Sequence, residues 1–205
     1  MLFATPLIRL RFGAPEFVAA LGETVRARRN ASPGIQRSNI GGWHSDSDMT
    51  MWGGAPAREL AQRTLEACAQ FTIDASLMKG AQPRYEFGIE MWANVSPAGA
   101  ANQMHAHPGS LWSAVYYVDD GGDAASGSLL LLDPRFPMNR AHAPDLLFVG
   151  PDGAREESTM KVQPEPGLLL AFPSWLMHGV SPHSGSRDRI SVAMNIIAMP
   201  IGRKL

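Results

Sequence analysis

Asn102-Gln103-Met104-His105-Ala106-His107-Pro108-Gly109-Ser110-Leu111-Trp112-Ser113-Ala114-Val115-Tyr116-Tyr117 sets two histidines one residue apart directly before an apolar, β-favouring run. Side chains two apart on an extended strand emerge on one face, so His105 and His107 are spaced to offer two imidazoles to one ion. A third donor has to come from elsewhere. Downstream, Pro173-Ser174-Trp175-Leu176-Met177-His178-Gly179-Val180 lies between two strongly apolar runs, where a distant strand end is placed to deliver His178. Arg189 follows within Arg187-Asp188-Arg189-Ile190-Ser191-Val192.

Working outward, the segments near 84–95, 111–118, 127–132, 167–172 and 189–199 are short, apolar and β-favouring, and Gly, Pro, Asp and Ser clusters separate them. Two helical patterns precede them. In the first, opening at Ala14-Pro15-Glu16, Phe17, Val18, Leu21 and Val25 recur at three- and four-residue intervals, and Arg26, Arg28 and Arg29 suit a helix C-terminus as a solvated face. The second is predicted from Pro56 to about Met78, with Leu60, Thr64, Cys68, Phe71 and Met78 along one stripe. Between them, Ser32 to Gly54 reads as a long loop containing Gly41-Gly42-Trp43-His44-Ser45. Strands following helices predict a mainly β fold, an antiparallel sandwich or barrel carrying helices on one face. We find no internal repeat and no domain boundary. The expectation is one domain over 1–205, its N-terminal strand and helices (about 1–80) packed on a jelly-roll core (about 84–200).

Composition bounds the function classes. The 205 residues include 18 basic and 19 acidic side chains, and the formal charge of −1 gives no general attraction for nucleic acid or acidic membranes. The single cysteine, Cys68, excludes an internal disulfide framework and sits in a helical pattern, where burial is its expected role. Residues 1–12 read as a strand interrupted by Arg9 and Arg11, and no uncharged run approaches the roughly eighteen residues of a membrane span. A cytoplasmic location is the default expectation, and a homodimer through exposed strand edges is a reasonable one.

The order of the motifs resembles the iron- and 2-oxoglutarate-dependent oxygenases. More narrowly, it is similar to a subgroup of small members with a His-X-His segment, a Tyr-Tyr-Val strand (Tyr116-Tyr117-Val118), Pro-Ser-Trp-Leu-x-His-Gly-Val at 173–180 and Arg-Ile-Ser-x-x-x-Asn at 189–195. The likeness spans about residues 92 to 198, with Gly41-Gly42-Trp43 adding weak upstream support. It implies a double-stranded β-helix, a cupin-like jelly-roll barrel, holding Fe(II) through two histidines and a carboxylate and taking 2-oxoglutarate as cosubstrate. On this likeness His105 and His178 are the two family histidines, and His107 falls where the broader superfamily usually has Asp or Glu. Replacing carboxylate by neutral imidazole raises the charge of the site by one. The metal set is then His105, His107 and His178, or His105 and His178 completed by water or by an acid such as Asp119 or Asp133. A three-histidine set also suits zinc, copper or nickel.

Arg189 is expected inside the last core strand, where an unpaired guanidinium is costly to desolvate and implies a buried anion. The far carboxylate of 2-oxoglutarate supplies one, with Ser191 adding a hydrogen bond from the same strand face. Arg187 shares that face and is the rival anchor, and a pairing of Arg189 with Asp188 is the bland alternative. Asn94, Tyr117 and Tyr85 are candidates to line the barrel and touch the cosubstrate. Trp92, Trp112 and Trp175 are expected as core or rim packing. His44, His142 and His183 are expected as surface or hydrogen-bonded core residues, with His44 also a candidate for the mouth of the site. The segment from Asp145 to Glu157 is expected as a variable loop near the active-site rim.

The implied activity is oxidation, most simply hydroxylation, of a second small-molecule or peptide substrate, coupled to decarboxylation of 2-oxoglutarate. Two rivals keep the barrel: a cupin-like three-histidine dioxygenase or isomerase that does not use 2-oxoglutarate, and a noncatalytic jelly-roll binding module.

Overall fold

The structure is a computed structural model that describes residues 4–75, 82–137, 146–150 and 153–202. In chain order its elements are β1 (Ile8–Arg11), α1 (Pro15–Ala31), β2 (Asn39–Ile40), β3 (Trp43–His44), α2 (Met49–Trp52), α3 (Gly54–Gln70), β4 (Tyr85–Ser96), β5 (Ala101–His105), β6 (Trp112–Asp119), β7 (Leu129–Leu132), β8 (Thr159–Val162), β9 (Leu168–Pro173), β10 (His178–Val180) and β11 (Arg189–Pro200). They form a 6-stranded sheet, β1-β9-β6-β11-β4-β3, and a 5-stranded sheet, β2-β5-β10-β7-β8. Every ladder is antiparallel. From β4 to β11 the chain passes repeatedly between the sheets, so β4, β6, β9 and β11 build one wall and β5, β7, β8 and β10 the other. This winding is the expected double-stranded β-helix.

The larger sheet is buried on both faces. Met91, Ala93 and Val95 of β4, Ala114 and Tyr116 of β6, and Ile190, Val192, Met194 and Ile196 of β11 form one core with Leu21 and Val25 of α1 and with Leu60, Ala61 and Cys68 of α3. α1 begins on Pro15, whose missing N–H costs nothing at a helix start, and ends with Arg28 and Arg29 in its last turn, where cations suit the helix dipole. Its three C-terminal arginines are ion-paired, with Arg26 on Asp119, Arg28 on Asp46 and Arg29 on Asp188. The smaller sheet meets the inner face of the larger one through Leu129, Leu131, Val162 and Leu176, packed on Tyr117, Leu168, Leu170 and Phe172.

Three expectations need correction. α3 stops at Gln70, well before residue 78; Phe71 N and Thr72 N close the helix on Cys68 O and Ala69 O. Thr72 Oγ1 then donates to Cys68 O and accepts from Trp112 Nε1, fixing the chain against β6 instead of extending the helix. Met78 lies outside the described residues. The stretch from Ser32 to Gly54 is no plain loop, since it contains β2, β3 and α2. The segment after 145 forms a bridge between Val149 and Arg155 and borders a different cavity, one reached by Trp175 and Met160. Among the described residues no helix is long and apolar enough to cross a membrane.

Candidate active site

Between the sheets lies a cavity of about 500 Å³. Its floor is the inner face of the larger sheet, and strand register arranges that floor in rows. Asn94, Ser191 and Tyr117 stand side by side on β4, β11 and β6; then Trp92, Ala193 and Val115; then Glu90, Asn195 and Ser113. All nine residues line the cavity. The rows run polar, apolar, polar, while the intervening residues face the helices, because alternate side chains of a strand take opposite faces.

The opposite wall carries the imidazoles. β5 and β10 are adjacent strands with His178 directly opposite His105, and a register irregularity follows between His178 and Val180. His107 lies beyond the end of β5, so the sequence argument from a continuous strand does not describe it. A turn returns it to the cluster, with His107 N bonded to Ser174 O and Ser110 N to His107 O. The ring centroids are 4.4 Å apart for His105 and His178, 4.9 Å for His105 and His107, and 5.3 Å for His107 and His178. One ligand atom from each lies within 4.8 Å of the others.

The tautomers follow from their partners. Nδ1 of His105 contacts Gln103 O at 2.7 Å and Nδ1 of His178 contacts Leu176 O at 2.8 Å. A carbonyl only accepts, so each Nδ1 carries the proton and each Nε2 keeps a lone pair. Burial pushes the pKa of both His107 and His178 down to about 4, with His105 nearby adding to the effect and the Leu176 carbonyl opposing it at His178. Both rings are therefore neutral near pH 7, the form that binds a cation. Three imidazole nitrogens on one cavity wall suit a divalent transition metal, including Fe(II). The acids considered as a third ligand are engaged elsewhere: Asp119 with Arg26 and Arg187, Asp133 with Arg135.

At the first row the cavity is built for an anion. Arg189 is 1% exposed, and its guanidinium lies over the Tyr117 ring at 5.2 Å with Nη1 donating to Ser191 Oγ at 3.3 Å. No carboxylate pairs with it among the described residues. Its Nε, the Tyr117 hydroxyl and Asn94 Oδ1 are all buried without a hydrogen-bond partner. Unsatisfied buried polar atoms are rare and costly. Two donors and an amide gathered at one cavity end fit a carboxylate-bearing cosubstrate. Burial lowers the pKa of Arg189 and raises that of Tyr117, and the mutual attraction of the two groups only partly opposes it.

The remaining expectations separate. Arg187 is exposed and pairs with Asp119 and Asp120, and Asp188 pairs with Arg29, so neither competes for the role of Arg189. Tyr85 is 44% exposed at the start of β4 beneath Arg84 and is not in the cavity. Trp112 is core and Trp175 is exposed. Trp92 instead lines the cavity, stacked on His44 at 5.5 Å and tilted toward His107 at 5.8 Å. His44, whose Nδ1 contacts Ser45 O at 2.5 Å, is buried in the lining opposite Asn94, with its pKa lowered mainly by burial. His183 is a hydrogen-bonded core residue between Ser126 and Arg187 O, and His142 lies outside the described residues. Sequence reasoning assigned no role to Glu90, Ser113 or Asn195. Asn195 closed a family signature without a role, and for Glu90 and Ser113 the signal was parity alone, since each shares a strand face with a cavity residue that was named.

Comparison with known proteins agrees with this geometry. Residues 90–195 match the family model described as "Putative 2OG-Fe(II) oxygenase". Among solved structures, a Pseudomonas putida prolyl-4-hydroxylase is similar at 18% identity, covering 95% of this chain and 93% of that one with a TM-score of 0.61. A Trichoplax adhaerens prolyl hydroxylase in complex with a hypoxia inducible factor peptide fragment shares 13% identity, 95% and 84% coverage and a TM-score of 0.64. HygX from Streptomyces hygroscopicus, solved with nickel and 2-oxoglutarate bound, shares 15% identity, 97% and 84% coverage and a TM-score of 0.62. These likenesses establish the common fold. Among curated proteins none matches the chain.

Proposed function

Because the chain belongs to the 2OG-Fe(II) oxygenase family, we propose that His105, His107 and His178 hold the iron, that Arg189, Ser191, Tyr117 and Asn94 hold 2-oxoglutarate, and that the reaction is hydroxylation. Fe(II), when bound with 2-oxoglutarate and dioxygen, supplies oxidative decarboxylation to succinate and carbon dioxide coupled to oxidation of a second molecule. The residues contribute binding, orientation and dryness. Backbone carbonyls fix the His105 and His178 rings, so no rotation has to be frozen when a cation arrives. Arg189 offers a planar pair of donors to the far carboxylate, and Tyr117 and Ser191 add hydroxyls beside it. Trp92, Val115 and Phe172 line the space between anchor and imidazoles and exclude water from the reacting region.

The observation that carries this reading is the fully buried, acid-free Arg189 at one end of a cavity whose other wall bears three imidazoles. Anaerobic titration of Fe(II) and 2-oxoglutarate tests it through the visible metal-to-cosubstrate charge-transfer band. The band is expected in wild type, absent in His178→Ala and weakened in Arg189→Ala. Stoichiometric metal without a band would overturn the cosubstrate assignment and favour the three-histidine chemistry that dispenses with 2-oxoglutarate.

A further inference from the structure

We propose that Asn195 binds the molecule to be oxidised, its carboxamide held by Ser113 so that Nδ2 donates a hydrogen bond to an uncharged oxygen of that molecule, a carbonyl or a hydroxyl. The inference rests on the reading of this cavity as the oxygenase site, with Arg189, Ser191, Tyr117 and Asn94 given to the cosubstrate.

The two faces of β11 single Asn195 out. The outward residues Ile190, Val192, Met194 and Ile196 all belong to the core shared with the helices. The inward residues Arg189, Ser191, Ala193 and Asn195 all line the cavity. Arg189 and Ser191 serve the cosubstrate, and the small Ala193 leaves room over the floor between Trp92 and Val115. Asn195 remains as an amide without a task. It is 5% exposed, and Ser113, its register partner on β6, is 3% exposed. Both lie on central strands, where an apolar pair would fill the same space without the cost of desolvating two polar groups.

The bond between the two side chains sets which end of the amide is free. Ser113 Oγ donates to Asn195 Oδ1 at 3.1 Å, and Nδ2 has no partner among the described residues. Unlike Arg189 Nε or the Tyr117 hydroxyl, Nδ2 is not sealed from solvent, so a molecule in the cavity can reach it. Ser113 and Glu90 flank Asn195 on either side in register. Reversing the amide would turn its acceptor oxygen toward the carboxylate side, whereas Nδ2 there is attracted, so electrostatics supports the same orientation. The row of Glu90, Asn195 and Ser113 contains no cation. Arg37 also borders the cavity, but it precedes β2 on the opposite wall. A neutral donor next to a carboxylate favours an uncharged oxygen over an anionic one. The middle row of Trp92, Ala193 and Val115 is then left for the apolar part of the same molecule.

The test is heteronuclear NMR of the side-chain amides in the full chain loaded with Zn(II) and 2-oxoglutarate, in which no turnover occurs. The Asn195 amide is identified as the pair of signals missing from Asn195→Leu. Three probes are titrated: N-methylacetamide for a carbonyl, isopropanol for a hydroxyl and acetate for an anion. A saturable downfield shift of one Asn195 amide proton is expected with N-methylacetamide or isopropanol, the tighter of the two naming the kind of oxygen, and none with acetate. Ser113→Ala should weaken that probe about twofold to tenfold, the effect of one neutral hydrogen bond, and shrink the shift while 2-oxoglutarate binding stays as in wild type. An Asn195 amide unmoved by both neutral probes in protein that binds 2-oxoglutarate would overturn the inference and leave the cosubstrate reading standing, as would an equal response to acetate. Failure of the wild type to bind 2-oxoglutarate would remove that reading and this inference together.

Discussion

Replacing Arg189 by methionine should strengthen the metal-free protein and disable its cosubstrate site, two effects of opposite sign from one side chain. In the metal-free fold the guanidinium is buried without an acid, and desolvation of such an ion costs several kcal/mol. Against that stand one long hydrogen bond to Ser191 Oγ, worth about 1 kcal/mol, and the contact with the Tyr117 ring, worth about 0.5–2 kcal/mol. The balance favours an apolar replacement of similar length by about 1–3 kcal/mol. With 2-oxoglutarate present the ledger reverses, since a buried carboxylate stripped of its partner loses about 3–5 kcal/mol, roughly a hundredfold to several thousandfold in affinity. Urea unfolding of metal-free wild type and Arg189→Met measures the first effect, and calorimetric titration of 2-oxoglutarate into Zn(II)-loaded proteins the second. A variant less stable than wild type that still binds within about threefold of its affinity would refute both halves of the reasoning.

Tyr117→Phe removes a hydroxyl that has no partner, so metal-free stability should stay level or rise by up to about 1 kcal/mol while 2-oxoglutarate binding weakens several-fold, about 1 kcal/mol; the same two assays read it. Gly127→Ala places a Cβ 2.7 Å from Arg189 Cδ on a backbone with φ +60°, and should cost about 1–3 kcal/mol in urea and loosen the anchor, seen as weaker 2-oxoglutarate binding. The metal-free protein should also lose stability on acidification. The folded pKa of His178, about 4, lies below an unfolded value near 6.5, so the unfolded chain binds more protons between them, and the contribution present above pH 6.5 falls as pH drops toward 4. Between pH 7 and pH 5 this amounts to about 2 kcal/mol, absent in His178→Gln; equal losses in both proteins would contradict it.

The sequence was most legible where burial was complete. The larger sheet's long strands stand out because β6, β9 and β11 are buried on both faces along most of their length, one against the helices and one toward the second sheet. β8 and β10, and β5 before His105, were missed for the converse reason: they are short, and partly exposed polar residues such as Asn102, Gln103 and Lys161 erase the alternation. His105, His107 and His178 were found as a group, yet the strand argument that joined the first two fails at Ala106, and the turn held by Ser174 replaces it. Glu90 and Asn195 illustrate a different limit. Parity places them on a common face with Trp92 and Arg189, but strands buried on both faces do not say which parity looks into the cavity.

Rows on a sheet also bear on how such a protein can change over time. Successive rows of the floor lie about 6.6–6.8 Å apart along each strand, so the Glu90 row stands about 13 Å from the row of Asn94, Ser191 and Tyr117. Substitutions at that distance with no shared partner combine nearly independently. Exchanges in the far row, each held on a strand whose back is clamped by helices, therefore leave the near row of Asn94, Ser191 and Tyr117 undisturbed. A lineage built on this floor is free to vary one end of the cavity while inheriting the other unchanged.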